Sequence, residues 1–278
     1  MKIKRFIARY LHKSVDKLDV YLTYLAMKQV NDHMETQNDH SSRDYIDAFL
    51  KEAKERRSDV KSYIRGDYLP GNVLNMFGGG TNSVNRSLAW NLLICAANPG
   101  TTQKRMQEEI DRVVGFARQP QWEDRYQMPF VMAFIREVHR WRTAVPVGIP
   151  RSAGEDVSVG SYVIPKDTIV MANIWAVHVD PNLWDNPEKF NPSRFLENGQ
   201  LIAAPKYLIP FSVGKRMCPA EKVSSVTLFM FLTVLLQKFV ILPEEGKKID
   251  LSSDCITFNS PVSQKLRFTP RARKLQAQ

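Results

Sequence analysis

The sequence has little cysteine, only Cys95, Cys218 and Cys255 in 278 residues. The three lie far apart and form no Cys-x-x-Cys pair, which excludes a disulfide framework and argues against a structural zinc site. So few cysteines fit a reducing compartment. Each cysteine therefore needs its own explanation.

Long apolar runs are also scarce. The best one, Val226 to Leu236, is shorter than the about 20 residues that a helix needs to span a bilayer. The first residues lack the apolar segment and small-residue cleavage site of a signal peptide. Repeats and low-complexity tracts are absent, and 44% of the residues are hydrophobic, which suffices for a substantial core.

Acidic residues are fewer than basic ones, 29 Asp and Glu against 39 Lys and Arg, which gives a formal net charge of +10. Such an excess suits an acidic partner, an anionic membrane surface or a nucleic acid. The basic residues are spread along the chain, which equally fits a basic solvated surface. The ends MKIKRFIARY and PRARKLQAQ are basic and would suit an acidic membrane surface. Charge alone leaves these alternatives open.

Apolar residues recur at helical spacing through much of the chain. The predicted helices cover residues 13–34, 43–57, about 72–97, then up to about 114, about 130–142 and about 218–238. Asp44 is placed to cap the second of these helices. DYLPG at 67–71 predicts a break before the long third helix, the glycines at 78–80 an interruption of it, and NPGT at 98–101 its end.

The pattern changes after Pro146. The stretch VGIPRSAGEDVSVGSYVIPKDTIVMAN is rich in Val, Ile, Gly and Pro and predicts short strands separated by turns. Residues 180–200 are rich in Asn and Pro and indicate mostly irregular structure, while KFVILP and KLRFTP predict further strands. The fold class is therefore mainly α with a small β portion, without an obvious linker.

One cysteine lies in an unusual position. The stretch PFSVGKRMCPAE, Pro210 to Glu221, places Cys218 in a polar, Gly-containing loop that opens an apolar helix. Lys215, Arg216 and the amino end of that helix favour the thiolate form. A thiolate there could attack a substrate or bind a metal.

Nucleophilic catalysis by cysteine needs a base, usually a histidine. The five histidines show no catalytic-cysteine signature; they are His12, His33, His40, His139 and His178. Metal ligation by a single thiolate remains, and haem iron is the known case of one axial cysteine. Gly214 would let the backbone pass close to a flat cofactor, and Arg216 would pair with an anion such as a haem propionate. An inert cysteine in a surface loop is the alternative.

The stretch FSVGKRMCPAE resembles the haem-binding signature of the cytochrome P450 haem-thiolate monooxygenases, Phe-x-x-Gly-x-Arg-x-Cys-x-Gly. Phe211, Gly214, Arg216 and Cys218 match it, and Ala220 replaces the final glycine. The resemblance implies haem (iron protoporphyrin IX) with Cys218 as its axial iron ligand. It also implies a cytochrome P450-like fold with the N-terminal part missing, because family members are much longer.

Other stretches resemble the same family in the expected order. EVHR resembles its Glu-x-x-Arg pair, here Glu137 and Arg140, and WDNPEKFNPSRF resembles the segment that supplies a second arginine, here Arg194. The resemblance implies a buried structural triad, whose charges must satisfy one another. Arg151, in IPRSAGED, matches a residue that contacts a haem propionate, especially in animal microsomal members. His178 is interpreted as a packing or hydrogen-bonding residue.

FGGGTNSVNRSLAW, Phe77 to Trp90, resembles the oxygen-activation segment of the long central helix of the family. That segment usually has an acid followed by Thr, and Asn82 and Ser83 stand there instead. Ser83 keeps a hydroxyl that can donate to bound oxygen, whereas Asn82 cannot carry a proton, which implies uncoupled turnover. A kinked helix without chemistry is the alternative. Cys95 and Cys255 are interpreted as structural.

Three functions are weighed for residues 1–278, which the resemblance makes the C-terminal portion of a single cytochrome P450 domain. The first is a monooxygenase that inserts one atom of dioxygen into a lipophilic organic substrate. Its electrons would come from an NADPH-dependent flavoprotein reductase at the endoplasmic reticulum membrane, although this stretch carries no anchor, and no nucleic-acid partner is expected. The second is a truncated or degenerate haem-binding fragment without turnover. The third is a helical interaction protein with an incidental cysteine.

Overall fold

The computed structural model describes residues 20–37, 41–255 and 258–271. His12, His40, residues 13–19 of the first predicted helix and the basic amino end lie outside the described residues, as does most of the basic carboxyl end. The chain divides into two compact units, Met1–Thr81 and Asn82–Gln278. Within the described ranges no helix is both long and apolar enough to cross a membrane.

The first unit is helical. Helix α1 covers residues 20–36 and α2 covers Tyr45–Glu55. The Asp44 side chain accepts hydrogen bonds from the backbone N–H groups of Ile46 and Asp47, so the predicted cap is present. A small apolar cluster holds the helices together and consists of Val30, Ile46 and Leu69 with Phe49, Leu50 and Val73 against it.

Helix α3 runs without interruption from Leu69 to Ala97, so two expectations about it are wrong. A 3-10 turn at Gly66–Tyr68 leads directly into the helix instead of breaking the chain. Pro70 lies in the first turn, where its missing N–H has no intrahelical acceptor to lose. The glycines at 78–80 keep their backbone donors and acceptors, so the hydrogen-bond ladder continues at a cost of about 1 kcal/mol each relative to Ala.

The second unit contains four further helices. They are α4 (Lys104–Val113), α5 (Pro129–Trp141), α6 (Ile174–Val179) and α7 (Glu221–Lys238). Of these, α4, α5 and α7 pack in its main apolar cluster. The largest core side chains include Trp90, Ile94, Met106, Ile110, Phe134, Phe229 and Leu232. Helix α7 begins three residues later than predicted, because Cys218 lies in the preceding loop and Pro219 follows it.

The strands in the described part of the chain form five two-stranded antiparallel sheets. The pairs are β1 (Arg151–Ser152) with β4 (Ile169–Val170), β2 (Val157–Val159) with β3 (Tyr162–Ile164), β5 (Leu196–Glu197) with β6 (Gln200–Leu201), β7 (Phe239–Pro243) with β10 (Leu266–Pro270), and β8 (Ser253–Cys255) with β9 (Asn259–Pro261). Strands therefore do follow Pro146. The predicted class, mainly α with a small β portion, is confirmed.

Buried glutamines join these elements through backbone atoms. The Gln103 amide nitrogen donates to the carbonyls of Cys95 (3.0 Å) and Ile241 (2.8 Å), and its amide oxygen accepts from the Ile241 N–H (2.7 Å). Gln107 and Gln237 each donate to two backbone carbonyls in other elements. Gln103 thus fixes strand β7 against the end of α3.

Replacing Gln103 by leucine is expected to lower the free energy of unfolding by about 3 kcal/mol, because buried backbone groups of Cys95 and Ile241 lose their partners. Chemical denaturation of the variant measures this loss. The exposed Gln119→Leu is the control and should change stability by no more than about 0.5 kcal/mol. Equal stability of the two variants would contradict the assignment.

Candidate haem-binding site

A buried ion triad lies at the carboxyl end of α5. Glu137 and Arg140 are both completely buried, and Arg140 donates Nε and Nη2 to the two carboxylate oxygens at 2.7 and 2.8 Å. Arg194 donates its Nε to the same carboxylate at 3.1 Å, and the Asn191 backbone N–H donates at 2.8 Å. The carboxylate therefore receives two guanidinium groups and one amide, which offsets its desolvation.

The two arginines also bind backbone carbonyls of an irregular segment. Arg140 Nη1 donates to the carbonyls of His178 (2.8 Å) and Pro187 (2.7 Å). Arg194 donates to the carbonyls of Asp185 (3.1 Å) and Lys189 (3.2 Å). The structure thus brings Glu137, Arg140 and Arg194 together, and the triad attaches this segment to α5.

The loop before α7 carries Cys218. The Cys218 N–H donates to the carbonyl of Phe211 at 2.9 Å and closes the loop, while the Ser212 N–H donates to the carbonyl of Ile209 at 2.9 Å. Ser212 and Gly214 both have positive φ, 64° and 77°, a region in which glycine is unstrained. A Cβ placed on Gly214 would find no atom within 4 Å, so the loop faces open space there.

Two neighbouring elements hold this loop. Arg151 in β1 donates its Nη2 to the Ser212 hydroxyl at 3.2 Å and to the carbonyl of Arg216 at 2.9 Å. The ring of Phe211 meets the imidazole of His139 in α5 edge-on, with ring centroids 5.3 Å apart. Four of the residues that match the haem signature, with Arg151, thus belong to one local assembly, in which the Arg216 side chain is exposed.

The two cysteines with described side chains differ in environment. Cys95 and Cys218 are both free of disulfide bonds. Cys95 is completely buried, and that burial raises the pKa of its thiol well above the usual range, as befits a core residue. Cys218 is only partly buried. Cys255 ends β8, and its side chain lies outside the described part of the structure.

The residues of the Cys218 loop fit haem in their chemistry. A partly buried thiol offers a ligand for iron, and the exposed Val213 and Met217 offer apolar surface to a flat ring. Arg151 and Arg216 offer guanidinium groups to its carboxylates. The space beside Gly214 leaves room for a cofactor to approach the backbone.

The two predicted oxygen-activation residues lie on α3. Asn82 is exposed and Ser83 is half-buried. One turn further on, Arg86 donates its Nε to the Ser260 hydroxyl at 2.5 Å and lies over the ring of Phe258, 4.6 Å from its centroid. These contacts attach this part of α3 to the β9 segment. A role of Asn82 and Ser83 beside the Cys218 loop stays a prediction.

A second titratable cluster, which the sequence did not reveal, lies in the first unit. His33 Nδ1 is 2.9 Å from Asp47 Oδ1, and its Nε2 is 3.4 Å from Asp44 Oδ2. The Arg43 guanidinium donates to both Asp47 oxygens at 2.6 and 2.9 Å and, together with His33, holds the pKa of that carboxyl well below its usual range. The cluster connects α1 to α2 through the contact between His33 and Asp47, and Arg43 forms an ion pair with the same carboxylate.

Removing the charge of Glu137 tests the triad. Glu137→Gln is expected to cost about 3–5 kcal/mol in the free energy of unfolding, because Arg140 stays buried without its counter-ion. Arg194→Lys should cost less, since it keeps the charge and loses the fork geometry. Denaturant unfolding provides the comparison, with the exposed Glu188→Gln as the control. A Glu137→Gln variant as stable as that control would refute the role of the triad.

The chain is similar to known proteins over most of its length. The family model described as Cytochrome P450 matches residues 2–265. The chain is 36% identical to human cytochrome P450 2J2 over 255 residues, which cover 92% of the chain and 50% of that protein. It is 37% identical to human cytochrome P450 2U1 over 239 residues, 85% of the chain and 44% of that protein.

A further relative, cytochrome P450 1A1 of the dog, is 36% identical over 229 residues, which are 81% of the chain and 44% of that protein. The chain thus spans about half the length of the curated relatives it matches. Matches of this extent, over a chain with the signature loop and the buried triad, show that it belongs to the cytochrome P450 family.

Proposed function

We propose that this chain is the haem-binding part of a cytochrome P450 monooxygenase, with Cys218 as the axial ligand of the iron. The observation that carries the proposal is the Cys218 loop. It is closed by the hydrogen bond from Cys218 to Phe211, is held by Arg151 and faces open space at Gly214. When bound, a haem with a thiolate ligand supplies the cleavage of the O–O bond of dioxygen.

Two arginines at the loop, Arg151 and Arg216, would orient the haem. The two hydrogen bonds from Arg151 to the loop both come from Nη2, and a guanidinium has further N–H donors on Nε and Nη1. Those donors can bind a carboxylate in the bidentate manner that arginine favours. Arg216, whose side chain is exposed, would bind a second carboxylate.

Ala220 does not oppose this assignment. The family signature has glycine at this position, but Ala220 has φ −97° and ψ 11°, a negative φ that a residue with a side chain can adopt. The substitution therefore requires no backbone strain. The glycine that the loop does need is Gly214, at φ 77°.

Proton delivery is where this chain departs from its family. Ser83 can donate a hydrogen bond from its hydroxyl, whereas the Asn82 amide does not ionise near neutral pH and so cannot act as an acid or a base. General acid–base groups typically contribute about 10²–10⁴-fold to a rate. We therefore expect that electrons are consumed with little product formed.

The substrate class and the partners are part of the same proposal. Substrate pockets are mostly apolar, which favours a lipophilic organic substrate. Electrons would come from an NADPH-dependent flavoprotein reductase at the endoplasmic reticulum membrane. The net charge of +10 would favour the approach of a partner with an acidic surface.

A second candidate is haem binding without turnover. It is favoured by Asn82, which stands where the family pattern has an acid. The two candidates share the haem and the Cys218 ligand. They differ in whether product forms when a reductase is supplied.

Replacing Cys218 tests both candidates at once. The reduced, haem-loaded protein should give the thiolate-type carbon monoxide spectrum, and Cys218→Ala should abolish it because the ligand is gone. Cys95→Ala is the matched control: its thiol is a core group, and the spectrum should persist. Failure of the parent chain to take up haem, or a spectrum unchanged in Cys218→Ala, would overturn the proposal.

Restoring an acid at position 82 separates the two candidates. With a reductase, NADPH and a lipophilic substrate, Asn82→Asp should raise product formed per NADPH consumed by about 10²-fold, the lower end of the range for a general acid. Asn85→Asp, exposed on the same helix, is the control for added charge and should leave the ratio unchanged. Haem uptake with no product from the parent or from Asn82→Asp would favour binding without turnover.

A further inference from the structure

His178 is a completely buried histidine in α6 whose two ring nitrogens both have partners. Its Nε2 accepts the backbone N–H of Ile209 at 2.9 Å, and its Nδ1 lies 2.7 Å from the hydroxyl of Thr143. Ile209 begins the turn that leads into the Cys218 loop. The ring therefore lies between the end of α5 and the start of that loop.

These contacts determine the protonation of the ring. Because Nε2 accepts a hydrogen bond from a backbone N–H, a neutral imidazole must carry its proton on Nδ1 and donate it to Thr143. The Thr143 hydroxyl in turn donates to the carbonyls of His139 and Arg140, both at 3.1 Å. A directed set of hydrogen bonds thus connects Ile209 to α5.

The backbone of the same residue contacts the triad. Arg140 Nη1 donates to the His178 carbonyl at 2.8 Å, and the other nitrogens of that guanidinium bind Glu137. The Ile209 carbonyl accepts a hydrogen bond from the Ser212 N–H, and the Phe211 carbonyl accepts one from the Cys218 N–H. His178 is therefore in contact with both the buried triad and the cysteine loop.

We propose that His178 is a positioning residue for Cys218, which fixes the start of the cysteine loop relative to the triad by accepting the Ile209 N–H. The proposal extends the proposed function, because positioning matters to haem only if Cys218 is its ligand. Its structural part, the control of the loop by His178, concerns only hydrogen bonds of this chain.

The surroundings keep the ring in the state that this contact needs. Burial, followed by the charged Arg140 and by His139, lowers the pKa of His178 to about 4. The ring is therefore neutral at neutral pH. A protonated ring would present a donor on Nε2 to the N–H of Ile209 and could not hold the loop.

Two substitutions separate the contact from the mere presence of a polar group. In His178→Gln the amide oxygen can reach the place of Nε2 and accept from Ile209. In His178→Asn the side chain is one carbon shorter and cannot reach it. Amide hydrogen exchange of Ile209 and Cys218, measured in the full chain without haem, should be about tenfold faster in His178→Asn, as expected for a lost buried hydrogen bond. In His178→Gln it should stay near the parent rate.

A second readout is the alkylation of Cys218 by iodoacetamide, which should accelerate in His178→Asn and not in His178→Gln. Thr143→Val provides an independent variant if the histidine variants do not fold. It removes the partner of Nδ1 and should speed exchange at Ile209. Thr233→Val is the matched control, because Thr233 is equally buried and its hydroxyl donates to Phe229 within its own helix.

Two outcomes would overturn the positioning role. One is that the rates of exchange and alkylation rise equally in Thr233→Val and Thr143→Val. The other is that both rates in His178→Asn stay at those of the parent. A third arm uses the haem-loaded chain, where His178→Asn should lose part of the thiolate-type carbon monoxide spectrum and His178→Gln should keep it. If the parent chain takes up no haem, the proposed function fails, and the exchange and alkylation results still decide the role of His178.

Discussion

The site depends on the interactions of one buried carboxylate, that of Glu137. Moving a charge from water into a protein interior costs several kcal/mol, and only close, fully satisfied partners offset that cost. Glu137 has such partners in Arg140, Arg194 and the Asn191 N–H. The guanidinium groups then have donors left for carbonyls between His178 and Lys189, a stretch with little regular structure of its own. The buried charge thereby fixes the path of a segment in which several backbone carbonyls have these arginines as hydrogen-bond partners.

The Cys218 loop also has little regular structure and is held by contacts from other elements. The loop has left-handed residues at Ser212 and Gly214, faces open space at Gly214, and forgoes a helical or sheet ladder. External contacts compensate for this: Arg151 from β1, and the edge-on contact of Phe211 with α5. Side chains on rigid elements therefore supply the order that the local sequence cannot, which is what a ligand with fixed geometry requires.

Much of the fold could be predicted from the sequence because helix periodicity and turn residues are local signals. The Asp44 cap and the change after Pro146 are examples. The glycines at 78–80 led to the wrong prediction that α3 is interrupted. Their cost to helix stability, about 1 kcal/mol each, is a local effect. The same helix is stabilised by the packing of Trp90 and the buried residues after it, which no local window of sequence contains. The matched site residues were identified from fixed spacings along the chain. The partners of Gln103 and His178 are backbone atoms of distant residues, which no spacing encodes.

The proposed chemistry of the chain and its fold depend on different residues. The interactions that hold the architecture, the triad and the Gln103 contacts, involve buried groups whose loss would be costly. Asn82, the proposed departure from the family pattern, is exposed on the surface of α3. An exposed substitution of this kind typically changes stability by no more than about 0.5 kcal/mol. The proposed change in oxygen chemistry is therefore compatible with the family fold, because nothing in the packing of the core selects for an acid at position 82.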